Sequence, residues 1–130
     1  MIAIDTNVVV RFLTNDDATQ ANRAEQVLRT QNVFLPKTVL LETAWVLQGA
    51  YGLARADVVL ALRKLLGLAG IAVDDGSVVE RALDWYEHGV DFADALHVAS
   101  SGTAERFVTF DRALVRRGNS LVGAPAIVEL

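Results

Sequence analysis

The sequence predicts an α/β fold, a short parallel sheet covered by helices on both faces. Three observations point to it. Short β-rich runs alternate with longer stretches of helical periodicity, the pattern of βαβ units. Several of the helical stretches stop at or just before a glycine. Of 130 residues, 52% are hydrophobic, enough to fill one core, so residues 1–130 are expected to form a single domain.

Each element has a local reason. Ile2–Asp5 is a β-rich run, and Thr6 and Asn7 behind it are good N-caps for a short helix over Val8–Leu13. Asp16–Thr30 reads as an exposed helix, with Asp16, Asp17 and Glu25 early and Arg29 late, as the helix dipole favours. Val33–Leu35 is a second strand. Pro36 stands where a helix starts without needing its N–H, and Lys37–Tyr51 follows as a long apolar helix ended by Gly52. Ala54–Leu68 is a further helix closed by Gly70, and Ile71–Val73 a third strand. Ser77–His88 is amphipathic, with Val78, Val79, Leu83 and Trp85 among its apolar positions, and Gly89 ends it. Phe92–Ser101 is a helix entered through Asp91 and left through Gly102. Phe107–Phe110, Arg112–Arg117 and Ala126–Val128 complete the chain as strand, short helix and strand.

Composition excludes several classes. There is no cysteine, hence no disulfide framework, thiolate zinc site or cysteine nucleophile. The hydrophobic content is too high for a solvated coil. A net charge of −4 gives no global field that attracts nucleic acid, but charge placement decides that question more than the total. Met1-Ile2-Ala3-Ile4-Asp5 has no basic n-region, and no run approaches the roughly 20 apolar residues that span a bilayer. The expectation is a soluble, cytoplasmic protein with no membrane partner.

Acidic residues carry the chemistry. In open parallel sheets ligands bind beyond the carboxyl ends of the strands. Asp5 ends the first strand and Asp111 closes Val108-Thr109-Phe110-Asp111, so each stands at that edge, where each also suits a helix cap. Glu42 lies in Val39-Leu40-Leu41-Glu42-Thr43-Ala44-Trp45, where a charge must be paired, metal-bound or on an exposed ridge shared with Thr38. Asp91 and Asp94 are spaced as N-cap and N3 of one helix, close to a capping box, and an acid in that first turn can also face a metal. Such a set suits Mg²⁺ or Mn²⁺, which prefer hard oxygen ligands.

In order and spacing, Ile4-Asp5-Thr6-Asn7, Glu42, Asp91-Phe92-Ala93-Asp94-Ala95-Leu96 and Val108-Thr109-Phe110-Asp111 resemble the PIN-domain ribonucleases, and specifically the VapC toxins of toxin–antitoxin modules. The resemblance covers essentially the whole chain. It implies a three-layer α/β/α sandwich whose short sheet of about five parallel strands has the order 3-2-1-4-5. It implies that Asp5, Glu42, Asp94 and Asp111 are the catalytic, metal-binding quartet for Mg²⁺, with Mn²⁺ as substitute. Thr6, Asn7, Asp91 and Thr109 would support them. The implied partners are an RNA substrate, a VapB-like antitoxin and a second copy of the chain. Cleavage needs positive charge near the acids, and Arg11, Arg112 and Arg116 are the expected phosphate contacts, with Lys37, Arg106 and Arg117 also near strand ends. Trp45, Tyr51, Leu53 and Leu60–Leu68 hold more apolar surface than one helix face needs, which suits a partner helix.

Two other enzymes place an aspartate after the first strand. A haloacid-dehalogenase-like phosphatase needs a second aspartate two residues on, where this chain has Asn7, and a late lysine, whereas Lys37 and Lys64 are the only lysines. A phosphorelay receiver lacks its paired acids and late lysine here for the same reasons. A free-standing PIN nuclease differs from a toxin only in lacking an antitoxin partner.

Overall fold

The computed structural model describes all residues from Met1 to Leu130. It contains five strands and seven helices, and two compact units, Met1–Gly76 and Ser77–Leu130.

The first unit alternates strands and helix pairs: β1 (Ile2–Ala3), α1 (Thr6–Thr14), α2 (Ala18–Thr30), β2 (Val33–Leu35), α3 (Lys37–Gly49), α4 (Arg55–Leu66) and β3 (Ile71–Val73). The three strands form a parallel ladder in the order β1-β2-β3, with Ile2 opposite Val33 and Val33 opposite Ile71. Helical crossovers are what parallel neighbours require. The middle strand takes the burial: Val33 and Leu35 are fully enclosed, with Leu40, Leu47, Val58, Leu62 and Leu65 from the helices.

The second unit holds α5 (Gly76–Glu87, its first residue at the boundary), α6 (Phe92–Ala99), β4 (Arg106–Thr109), α7 (Arg112–Gly118) and β5 (Ala126–Glu129). β4 and β5 pair in parallel, Arg106 opposite Ala126 through Thr109 opposite Glu129. Tyr86 and Phe92 meet edge to face with ring centroids 5.4 Å apart, among buried Val79, Leu83, Ala95 and Val98. Gly118 lets α7 lie on β5, because a Cβ there would stand 2.9 Å from the Ile127 Cβ.

The elements expected from sequence all form; their strands pair as ladders of three and of two where one sheet of about five was expected, and the other differences lie at element ends. The first strand was expected through Asp5 and the first helix from Val8. Asp5 itself is the N-cap, with extended backbone and a carboxylate accepting the Thr6 N–H at 2.7 Å, so the ladder stops at Ala3 and the helix begins at Thr6. Thr6 and Asn7 are therefore helical residues rather than caps. The second helix starts two residues late because Asp17 caps it, accepting from the Gln20 N–H at 3.0 Å. The third stops at Gly49, short of Tyr51, whose hydroxyl donates to Asp16 at 2.6 Å. β4 ends at Thr109 instead of Phe110, because the Thr109 hydroxyl accepts the Asp111 N–H at 3.0 Å and turns the chain one residue early.

The Thr43 hydroxyl in α3 is enclosed without a hydrogen-bond partner. Such an atom loses its hydration and gains nothing in return. Thr43→Val is expected to raise stability by about 1 kcal/mol. A urea midpoint shifted upward at unchanged slope would show it; a lower midpoint would mean that the hydroxyl is satisfied in solution.

Candidate active site

Four of the expected site residues sit where a chain changes from strand or loop to helix. Asp5 follows β1 and Asp111 follows β4, each at the carboxyl end of a parallel strand. The Asp111 carboxylate accepts from the N–H groups of Ala113 at 2.9 Å and Leu114 at 3.2 Å, through one oxygen only. Its second oxygen makes no such bond. The Thr109 hydroxyl accepts the Asp111 N–H and so fixes the backbone at that residue.

Asp91 caps α6, its carboxylate accepting the Asp94 N–H at 3.2 Å. The reciprocal half of the capping box is not made, and the Asp94 carboxylate has no hydrogen bond of its own. Asp94 is half-buried. Burial pushes its carboxyl above the ordinary range, and the charges of Asp91 and Asp111 push it further, with His97 opposing. Asp94 and Asp111 thus share one electrostatic neighbourhood in the second unit.

Asp5 and Glu42 belong to the first unit. Glu42 is exposed on α3, in a stripe with Thr38 and Trp45, and carries no ion pair. Its helix buries Leu40, Thr43, Ala44 and Leu47 on the other side, so the charge lies on the exposed ridge that the sequence allowed. Thr6 is buried and Asn7 exposed, so of these two Asn7 is the one that faces solvent. Within either unit, no three Asp, Glu or His side chains are grouped to hold a metal ion.

The expected cations separate clearly. Arg11 is not a free phosphate contact. Its guanidinium bonds Asp16 at 3.1 Å, the Gln20 amide oxygen at 2.8 Å and the Tyr51 hydroxyl at 3.1 Å. Asp16 holds Arg11 above its ordinary value, while the Tyr51 hydroxyl, first among several hydrogen bonds and charges, holds Asp16 below its own. Tyr51 therefore serves this polar cluster rather than an apolar patch. Lys37 pairs with Asp75, and Arg112 with Glu129 at 2.9 Å. Arg116 is exposed and keeps its charge uncompensated by any carboxylate.

A pocket of about 330 Å³ between α1 and α2 escaped the sequence reading. Asn7, Val8 and Arg11 line it from α1, and Gln20, Arg23, Ala24 and Val27 from α2. The α2 residues follow helical i, i+3, i+4 spacing, a signal that marks one face but not what lies opposite.

The expected acids thus fall in two sets, Asp5 and Glu42 in the first unit and Asp91, Asp94 and Asp111 in the second, and all but Glu42 stand at or near a helix start. The PIN domain profile matches residues 2–119, and the chain belongs to the PIN domain family. That assignment leaves the phosphatase alternative unsupported. Among solved structures, the VapC20 toxin of Mycobacterium tuberculosis, described as cleaving the sarcin–ricin loop, is similar at 22% identity. That match covers 91% of this chain and 95% of that one with a TM-score of 0.43. No curated protein matches the sequence.

Two outcomes follow for the acids. Asp111→Ala should cost about 1 kcal/mol through the lost cap, while Asp111→Asn keeps the cap and most of the stability; equal midpoints for the two in urea would count against the capping role. For Asp94, the folded carboxyl holds its proton more tightly than the unfolded one. Its contribution to stability is complete below the ordinary value of 3.8 and is lost as pH rises through the raised folded value. In metal-free buffer, Asp94→Asn should lack that loss and be at least as stable as wild type at neutral pH. A steeper loss in the variant would contradict the crowding of Asp94.

Proposed function

We propose that the protein is a Mg²⁺- or Mn²⁺-dependent endoribonuclease and the toxin of a VapBC-type toxin–antitoxin pair. Membership of the PIN family supports a nuclease. Within it, one observation carries the reading: Asp94 is half-buried, its carboxylate makes no hydrogen bond, and the charges of Asp91 and Asp111 crowd it. A cation relieves such crowding, and carboxylate oxygens are the donors that Mg²⁺ and Mn²⁺ prefer.

Asp5, Glu42, Asp94 and Asp111 would hold the ion, with Asp5 and Asp94 as principal ligands. When bound, it supplies an activated water and shields the charge developing on the phosphoryl group. The protein's own part is positioning. Helix N–H groups fix the carboxylates of Asp5 and Asp111, and Thr109 and Asp91 hold the backbone beneath Asp111 and Asp94. Exposed Asn7 would meet the scissile phosphate, and Arg116 a neighbouring one. Hydrolysis then leaves 5′-phosphate and 3′-hydroxyl ends.

In this reading residues 1–130 act as one PIN domain with the strand order 3-2-1-4-5. The family profile spans both units, and neighbours within the ladders β1-β2-β3 and β4-β5 are the neighbours that this order requires, which supports it. An antitoxin or a second copy of the chain would cover apolar surface. Trp45 on α3, 74% exposed, and Leu60 on α4, 54% exposed, support such a partner. No helix is long and apolar enough to cross a membrane.

Purified protein should cleave RNA in Mg²⁺ or Mn²⁺ and stop in EDTA. Asp5→Asn and Asp94→Asn should each lower the rate by more than the roughly 100-fold that loss of an outer-sphere partner costs, with the fold retained by circular dichroism. Undiminished cleavage by both variants would sink the assignment. Sequencing the RNA ends produced on induction would identify the substrate.

A further inference from the structure

The α1–α2 pocket begins two residues after Asp5, so the Asn7 Cα stands within about 7 Å of the Asp5 Cα along the chain. Its floor is apolar, from Val8, Ala24 and Val27, and its rim is polar, from Asn7, Arg11, Gln20 and Arg23. No carboxylate lines it. Arg23 is exposed and has no ion-pair partner. An apolar floor suits the face of a nucleobase, amides suit its edge, and a free guanidinium suits a phosphate. A volume of about 330 Å³ lies at the small end of ligand pockets, as one nucleotide requires.

Gln20 gives the pocket a chemical preference. Its amide oxygen accepts from the Arg11 Nε–H at 2.8 Å, and an arginine cannot accept in return, so this orientation of the amide is fixed. Arg11 is in turn held by Asp16 and Tyr51. The Gln20 NH₂ is left as a donor at the rim. A donor there favours a base with a carbonyl on its edge, guanine or uracil, over one with an amino group at the same place, adenine or cytosine.

We propose that this pocket is a nucleotide subsite of the RNA substrate, in which Gln20 selects a carbonyl-bearing base beside the cleaved bond and Arg23 holds the adjoining phosphate. The proposal rests on the ribonuclease reading above and adds a substrate preference to it. Both residues lie on α2, which carries none of the four acids.

The test pairs cleavage with binding. Wild type, Gln20→Glu, Arg23→Glu and Asp5→Asn are given a pool of randomised RNA oligonucleotides with Mn²⁺, and the ends are sequenced. Binding of one oligonucleotide is measured by anisotropy in the Asp5→Asn background. Wild-type ends should be enriched in guanine or uracil at one position next to the cut. Gln20→Glu, which retains the Arg11 contact but no longer donates, should lower that enrichment about tenfold. Arg23→Glu should weaken binding tenfold or more, and 4-thiouridine at the selected position should cross-link to α2. Cleavage that depends on Asp5 but shows the same ends and affinity in both pocket variants would overturn the subsite and leave the nuclease standing, even if a protein partner were lost. Failure of wild type to cut RNA in either metal would overturn the nuclease reading and the subsite with it.

Discussion

An aspartate at the junction of strand and helix governs this chain. At Asp5 and again at Asp111 the carboxylate satisfies N–H groups of the helix it starts, and in doing so it ends the strand before it. Helix starts leave donors without partners, and an acid there is favoured both by hydrogen bonding and by the helix dipole. The same choice leaves a fixed negative charge at the carboxyl end of a parallel strand, where such sheets bind ligands. Local folding and site placement are therefore one constraint. Asp91 extends it: by capping α6 it holds the backbone of Asp94 and leaves that residue's carboxylate free.

Much of this was legible from sequence because its causes are local. Glycines stand at or shortly after the ends of α3 to α7, and alternation of β-rich and helical runs gave every element its place. The ends were misjudged where two nearby groups competed for one role. Asp5 outcompeted Thr6 and Asn7 as cap, Asp17 outcompeted Asp16, and Thr109 turned the chain before Phe110 could extend the strand. Each is a hydrogen bond over one to three residues, below the resolution of a periodicity argument.

What sequence hid was pairing at a distance. Arg11 and Arg112 look like free cations in a row of residues, yet Asp16 and Glu129 compensate them. The pocket between α1 and α2 takes its lining from both helices, so neither segment shows it alone. The acids are legible one by one as strand-end and helix-start residues. The common site proposed for them is a statement about four positions spread from residue 5 to residue 111, which spacing cannot supply and only the family resemblance implies.

The contact between Gly118 and Ile127 has a mechanical side. α7 is only seven residues, about 10 Å long, with Asp111 at one tip and Gly118 at the other. A rod that short bends little, so lifting one tip tilts the whole of it. A single methyl group added at position 118 would press on the Ile127 side chain of β5 at one end and so swing the aspartate at the other. The aim of that carboxylate is thus governed partly by a residue with no side chain at all, seven positions away.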